Sequence, residues 1–170
     1  MLNEVGKTQF RAILGALQWL ATQGRPDLCG EIGILSEDLR EPRVESLKNA
    51  NRIFNEAVKT IDAYIMVPAI PLDQIIIASF SGSAFKQPKP QVGSFIIIAA
   101  KRFMEHEKSP VAFVDWRSRR CQRVCTSTLQ SETYACAEGI AAAEWVRQLF
   151  YAMLNETYSL SGAPRQQGEM

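Results

Sequence analysis

The stretch FVDWRSRRCQRVCTSTLQSETYAC, Phe113 to Cys136, decides how the rest of the sequence is interpreted. A strand-like apolar run, Val111 to Trp116, leads into it, and a long helical pattern begins near Leu129. Between them lie four arginines, Arg117, Arg119, Arg120 and Arg123. Guanidinium groups bind phosphate oxygens, and Glu132 places a carboxylate at the start of the helix. The order of strand, cationic loop and acidic helix therefore predicts a site that handles phosphodiesters.

Length and composition predict a globular protein. The chain has 170 residues, of which 46% are hydrophobic and 22% charged, which suffices for one domain, with or without a helical appendage. The formal net charge is only +1, so any affinity for nucleic acid must come from local clusters of basic residues. The apolar runs are too short to cross a bilayer, and the N-terminus lacks a signal-peptide pattern. We therefore expect an intracellular, cytoplasmic or nuclear protein.

The four cysteines predict reduced thiols. Cys121 and Cys125 have the spacing of half a metal site, but no second pair of ligands accompanies them. The single histidine, His106, lies in a charged segment away from the cysteines. Ordinary thiols are thus a better interpretation than a zinc site.

Three helices are predicted near the N-terminus. Apolar residues recur at three- and four-residue spacing from Thr8 to Gln23, from Pro26 to about Leu39, and from about Arg43 to Lys59. Gly24 and Pro42 separate these segments. The pattern predicts a small helical subdomain of about 55 residues.

After Thr60, β-branched residues predict a sheet. The candidate strands are Ile75 to Phe80, Val92 to Ala100 and Val111 to Trp116, with a weaker candidate from Ala63 to Val67. Ser81 to Ser83 predicts a turn or bulge, Lys86 to Gln91 a hairpin loop, and Lys101 to Pro110 a charged turn. The strands are apolar on both faces, so we expect helices on at least one side of the sheet.

A long helix completes the pattern from Leu129 to Leu154, with Ser127 or Thr128 as its N-cap.

Trp19 and Trp145 are predicted core residues, and Trp116 is predicted to pack under the arginine loop. The polar tail, Ser159 to Met170, is predicted to be disordered. The fold class is α+β or α/β.

Three segments together resemble the polyproteins of copia-type retrotransposons. FRAILGALQWLATQGRPDLCGEIGILS, Phe10 to Ser36, resembles the family segment after the reverse transcriptase palm, YRxLxGxLxWLxxxxRPDL. LKNANRIFNEAVKT, Leu47 to Thr60, is similar to the helix that follows there. DWRSRRCQRVCTSTLQSETYACAEG, Asp115 to Gly139, resembles the associated ribonuclease H stretch WxSrrqxxVarSTxxAEyxAlseg. The joint order of these segments is more specific than any one of them.

The resemblance implies a reverse transcriptase connection, residues 8–60, followed by a partial ribonuclease H-like domain, residues 61–158. Enzymes of that family cut RNA in RNA–DNA hybrids with two Mg²⁺ ions held by carboxylates. The family's helix glutamate falls on Glu132, as a metal ligand, and its first aspartate falls on or near Ser81. The expected contacts to nucleic acid are Arg117, Arg119, Arg120, Arg123 and Ser127. The arginines could equally form a solvated loop, and without the resemblance Glu132 would only complement the helix dipole.

The implied set of metal ligands is incomplete. Serine stands at position 81, and the next family aspartate would lie on a fourth strand after the long helix, where this sequence has none. Asp115 lies where the family has no ligand. We therefore expect weak Mg²⁺ binding and little or no nuclease activity. The alternative function is a non-catalytic module for nucleic-acid binding or assembly.

The resemblance also implies an exposed strand. In the ribonuclease H architecture the first strand, here Ile75 to Phe80, lies inside the sheet beside the fourth strand. Without a fourth strand, IIIASF would form an apolar edge that can pair with another chain. We therefore expect self-association through Ile75 to Phe80.

Overall fold

The structure is a computed structural model that describes residues 1–85, 89–105 and 108–155. The described residues form helices α1 (Glu4–Gln23), α2 (Pro26–Leu35) and α3 (Val44–Lys59), strands β1 (Ile75–Ala84), β2 (Gln91–Ala100) and β3 (Val111–Arg120), and helix α4 (Thr128–Leu154). Short 3₁₀ turns lie at Ser36–Leu39, Leu72–Gln74 and Lys101–Glu105. The α+β class is confirmed. The predicted disordered tail, His106 and part of the hairpin loop lie outside the described residues.

Helices α1 to α3 enclose the largest apolar core of the described residues. The predicted stripe of α1 is buried through Phe10, Leu14 and Leu17, and it meets Ile32 of α2 and Ile53 of α3. Helix α2 starts with proline, whose missing N–H is no loss in a first turn. No described helix combines the length and hydropathy that crossing a bilayer requires.

Arg25 joins the start of α2 to the end of α3. The residue is 6% exposed, and its guanidinium donates hydrogen bonds to the Thr60 carbonyl, at 3.0 Å, and to Thr60 Oγ1, at 2.7 Å. The last carbonyls of a helix lack partners within the helix, and Arg25 supplies one. The same guanidinium pairs with Asp27 at 2.7 Å, and its hydrogen bonds lower the pKa of that carboxyl. Sequence reasoning missed this role of Arg25.

The three strands form an antiparallel sheet in the order β1-β2-β3. The turn predicted at Ser81–Ser83 is wrong, because β1 continues to Ala84 and pairs Ser81 with Ser94 and Ser83 with Val92. The strand predicted at Ala63–Val67 is also wrong, since residues 63–71 have no regular structure. Pro68 and Pro71 follow Val67, and none of the described strands pairs with Ala63–Val67.

Helices cover both faces of the sheet, as predicted for at least one side. Helix α4 packs across β1 and β2, where Ile96 is buried against Ala142 and Val146. Helix α2 packs on the opposite face, mainly against β3. Gly33 of α2 makes this contact close, because a Cβ there would lie 2.6 Å from the Ser118 carbonyl oxygen.

Two predicted core tryptophans are exposed. Trp19 is 66% exposed and Trp145 is 57% exposed, so both predictions are wrong. Trp19 lies two residues after the buried Leu17, and Trp145 lies one residue before the buried Val146. Each residue of a helix is rotated by about 100 degrees from the one before it, so both tryptophans point away from the buried face. Trp116 instead donates its Nε1–H to the Ala21 carbonyl at 2.6 Å and so joins β3 to α1.

We expect Gly33→Ala to destabilise the protein by about 1–3 kcal/mol, because the added Cβ collides with strand backbone that cannot turn aside. Gly30→Ala on the same helix meets open space and should be neutral or stabilising by up to about 1 kcal/mol. Urea unfolding followed by circular dichroism measures both. Equal stabilities of the two variants would contradict the close contact of α2 with β3.

We expect Arg25→Met to lower the free energy of unfolding by about 1.5–3 kcal/mol, because the α3 terminus loses charged hydrogen-bond donors. Arg52→Met is the matched control. Arg52 pairs with Glu31 in a largely exposed ion pair, which is worth less than about 1 kcal/mol. If both variants unfold at the same urea concentration, Arg25 does not hold α2 and α3 together.

Candidate nucleic-acid interface

Three of the four clustered arginines lie on a strand. Strand β3 extends to Arg120, four residues beyond its predicted end at Trp116, so the predicted cationic loop is largely wrong. Side chains alternate across a strand, which places Arg117 and Arg119 on the face that α4 covers and Arg120 on the face of α2. The cluster is therefore divided between the two faces of the sheet.

The arginines other than Arg120 have partners within the protein. Arg117 Nε lies 3.0 Å from Asp115 Oδ2, and Arg119 Nη2 lies 3.0 Å from Glu138 Oε1. The Arg123 guanidinium stacks over the Tyr134 ring, 5.5 Å from its centroid. Binding a phosphate with these groups would weaken contacts that already exist.

Arg120 lines a cleft of about 650 Å³ between the helical subdomain and the sheet. Arg40 and Lys89 line the same cleft, and none of the three forms an ion pair with a described residue. Gln18, Ser36 and Ser118 add polar groups to its walls, and Glu37 contributes a carboxylate. Cations that lack internal partners keep their hydrogen-bond donors available for an anion.

Two close contacts bring these cations together. Gly33 lets α2 approach β3, so Arg40, which follows the 3₁₀ turn after α2, lies beside the end of the strand. The Cys121 N–H donates to the Pro90 carbonyl at 2.7 Å, which holds Lys89 near the same strand end. Sequence reasoning missed Arg40 and Lys89, because no spacing in the chain relates them to Arg120.

Glu132 lies against the outer edge of β1. Helix α4 starts at Thr128, with Ser127 as its N-cap, as predicted. The Glu132 Oε2 accepts a hydrogen bond from the Ser83 N–H at 3.1 Å. Ser127, a predicted phosphate contact, uses its hydroxyl oxygen to accept from the Gln130 N–H at 3.1 Å. Both side chains thus have local structural roles.

Serine hydroxyls line the contact between β1 and α4. Ser131 is fully buried and donates to the Thr128 carbonyl at 2.8 Å. Its oxygen lies 2.7 Å from Ser83 Oγ. Because the Ser131 hydroxyl proton is already donated to Thr128, Ser83 is the donor in this second hydrogen bond. Ser81 faces Gly139, where a Cβ would lie 3.0 Å from the Ser81 Cβ. The position matched to the family's first aspartate is therefore packed against helix backbone.

The residues around Glu132 do not fit a site for two Mg²⁺ ions. Glu132 is one carboxylate among hydroxyls, whereas such a site requires several charged oxygen ligands. The register puts Asp115 opposite Ile96, two strands from β1, and thus about 10 Å across the sheet and 13 Å along it from Ser83. Asp115 cannot share an ion with Glu132 at that separation. No group of three potential metal ligands occurs within the described ranges.

The cysteines are free thiols, as predicted. Cys121 and Cys125 are buried together against Val92 and Ala135. Burial raises the pKa of the Cys125 thiol, which keeps it protonated and apolar. These two residues act as small core side chains under the end of β3.

Comparisons with known proteins give this chain no relative. No protein-family model, curated protein sequence or solved structure matches it.

Proposed function

We propose that the chain binds the phosphate backbone of nucleic acid, with an RNA–DNA hybrid as its ligand. The observation that carries this proposal is the cleft lined by Arg40, Lys89 and Arg120, which are without ion-pair partners among the described residues. Two arginine forks and an ammonium group suit phosphate oxygens, and backbone contacts of this kind are independent of base sequence.

We further propose that the chain derives from a copia-type retrotransposon polyprotein and that its second part is ribonuclease H-like. Three helices, three antiparallel strands and a long helix occur in the order that the resemblance implies. The contact between Glu132 and the β1 edge also supports a ribonuclease H origin. Such a protein would act in the cytoplasm or the nucleus.

Binding without hydrolysis is the activity that the geometry supports best. The cleft supplies positive charge at the β3 end of the sheet, whereas the region around Glu132 supplies a single carboxylate. Cutting a phosphodiester with two metal ions requires ligands that hold both ions near the scissile bond. The described residues offer the binding function more completely than the catalytic one.

We expect affinity for a short RNA–DNA hybrid to fall with salt, with a log–log slope of about −2 to −3 for three phosphate contacts. Arg40→Gln and Arg120→Gln should each weaken binding and reduce the slope by about one unit. Fluorescence anisotropy of a labelled hybrid between about 50 and 200 mM salt measures this.

Arg52→Gln serves as the control, because Arg52 lies outside the cleft on α3. Arg117→Gln tests the face of the sheet covered by α4, where the arginine already pairs with Asp115. A larger loss of affinity with Arg117→Gln than with Arg120→Gln would move the phosphate contact to that face and contradict the cleft.

We expect no cleavage of the hybrid above background in Mg²⁺ or Mn²⁺, because among the described residues Glu132 belongs to no group of three potential metal ligands. Gel electrophoresis of the labelled RNA strand after incubation with the purified protein tests this. Cleavage that disappears in Glu132→Gln would overturn the prediction and show that the single glutamate supports catalysis.

A further inference from the structure

Strand β1 has an open outer edge with capped ends. The Ser83 N–H points away from β2 to Glu132, and the pairing of β1 with β2 is unbroken from Ile75 to Ala84. Alternate residues of β1 therefore point their backbone groups outward in the same way. The Ile75 N–H is bonded to the Leu72 carbonyl, which caps the other end.

Three residues between these caps are available for pairing. Ile77, Ser79 and Ser81 direct their N–H and C=O groups outward, and within the described residues these groups have no hydrogen-bond partner. An unpaired row of this kind is a template for another strand. The open row is symmetric about Ser79, which suits a second copy of the same strand running in the opposite direction.

We propose that two copies of the chain associate by pairing β1 with β1 antiparallel about a two-fold axis at Ser79. Ser79 then faces Ser79 of the partner subunit, and Ile77 faces the partner's Ser81, each pair exchanging both backbone hydrogen bonds. The two three-stranded sheets become one continuous sheet. This proposal does not depend on nucleic-acid binding.

The positions of three residues on helix α4 fit the same two-fold axis. Gly139 lies over Ser79, since a Cβ there would be 2.7 Å from Ser79 Oγ, and so marks the level of the proposed axis along the helix. Glu132 lies at the Ser83 end of β1, and Arg147 lines a cavity with Ile75 and Ile77 at the other end. Glu132 lies seven residues before Gly139 and Arg147 eight residues after it, so the two are at nearly equal distances and Glu132 of one copy lies near the partner's Arg147.

The space between the two α4 helices also fits. Helix α4 rests on both β1 and β2, so its axis lies inward of the sheet edge. Gly139 packs on Ser79 of β1 and Ala142 packs on Ile96 of β2, so the helix axis lies between the two strands, and paired copies of α4 are at most about 10 Å apart, within the range of helix packing. Cys136 and Ala143 share the outward flank of α4 with Glu132 and are small enough for this approach. Arg147 already pairs with Glu144 on its own helix, and the partner's Glu132 would join that ion pair.

Analytical ultracentrifugation over a range of protein concentrations, without nucleic acid, tests the proposal, and we expect a monomer–dimer equilibrium. Ser79→Pro removes an N–H that makes no bond within the described chain, so circular dichroism should show the same fold while the dimer dissociation constant rises about 30-fold. A monomer at every concentration, or a Ser79→Pro variant that dimerises as tightly as the original chain, would overturn the proposal.

A charge exchange on α4 tests the same axis without substituting a residue of the strand. Glu132→Lys and Arg147→Glu should each weaken the dimer about fivefold, and the double variant should recover affinity, because the opposite charges meet again across the axis. Failure of the double variant to recover affinity would refute the two-fold arrangement. Open-ended assembly instead of a dimer would also refute it, since it requires an edge other than β1.

Discussion

The hydrogen bonds from Arg25 to Thr60 fix helix α2, through which the helical part of the protein meets the sheet. They hold the start of α2 against the end of α3, and Gly33 lets the last turn of α2 lie close to β3. Helix α2 thus belongs to the helical core and also covers one face of the sheet. The cleft lined by Arg40 and Arg120 exists because this helix is fixed at both contacts.

Both faces of the sheet are joined to helices through small and polar residues. On one face Gly139 packs on Ser79 and Ser81, and on the other Gly33 packs on Ser118. Such contacts bury little apolar area, so they contribute less by the hydrophobic effect than the large side chains between α1 and α3. Glycine permits the close approach, and the Ser118 hydroxyl accepts a hydrogen bond from the Gln91 side chain there. The packing of helices on the sheet therefore depends more on close contacts between small residues than on the burial of large apolar side chains.

Much of the fold follows from the sequence because periodicity reports burial. The stripe through Phe10, Leu14 and Leu17 identified α1 within a few residues of its observed start, and the N-cap at Ser127 identified α4. The strand ends were less predictable. Small or charged residues at Ser81–Ser83 and Arg117–Arg120 resemble turns and loops, yet pairing with β2 keeps them extended. The cleft was not predictable, since its cations become neighbours only through tertiary packing.

The position of the cleft gives the proposed two-fold axis a functional consequence. Arg120 pairs through Gln91 with Ala84, five residues from Ser79 on β1. In a dimer paired at β1, the two Arg120 positions would be about 24 Å apart across the sheet and about 33 Å apart along it. An axis perpendicular to the sheet keeps both clefts on the same face, about 40 Å apart on an untwisted sheet. One duplex that spanned both clefts would bind by avidity, with each cleft contributing only modest affinity. Modest affinity per cleft is what three cations on a protein of net charge +1 would provide.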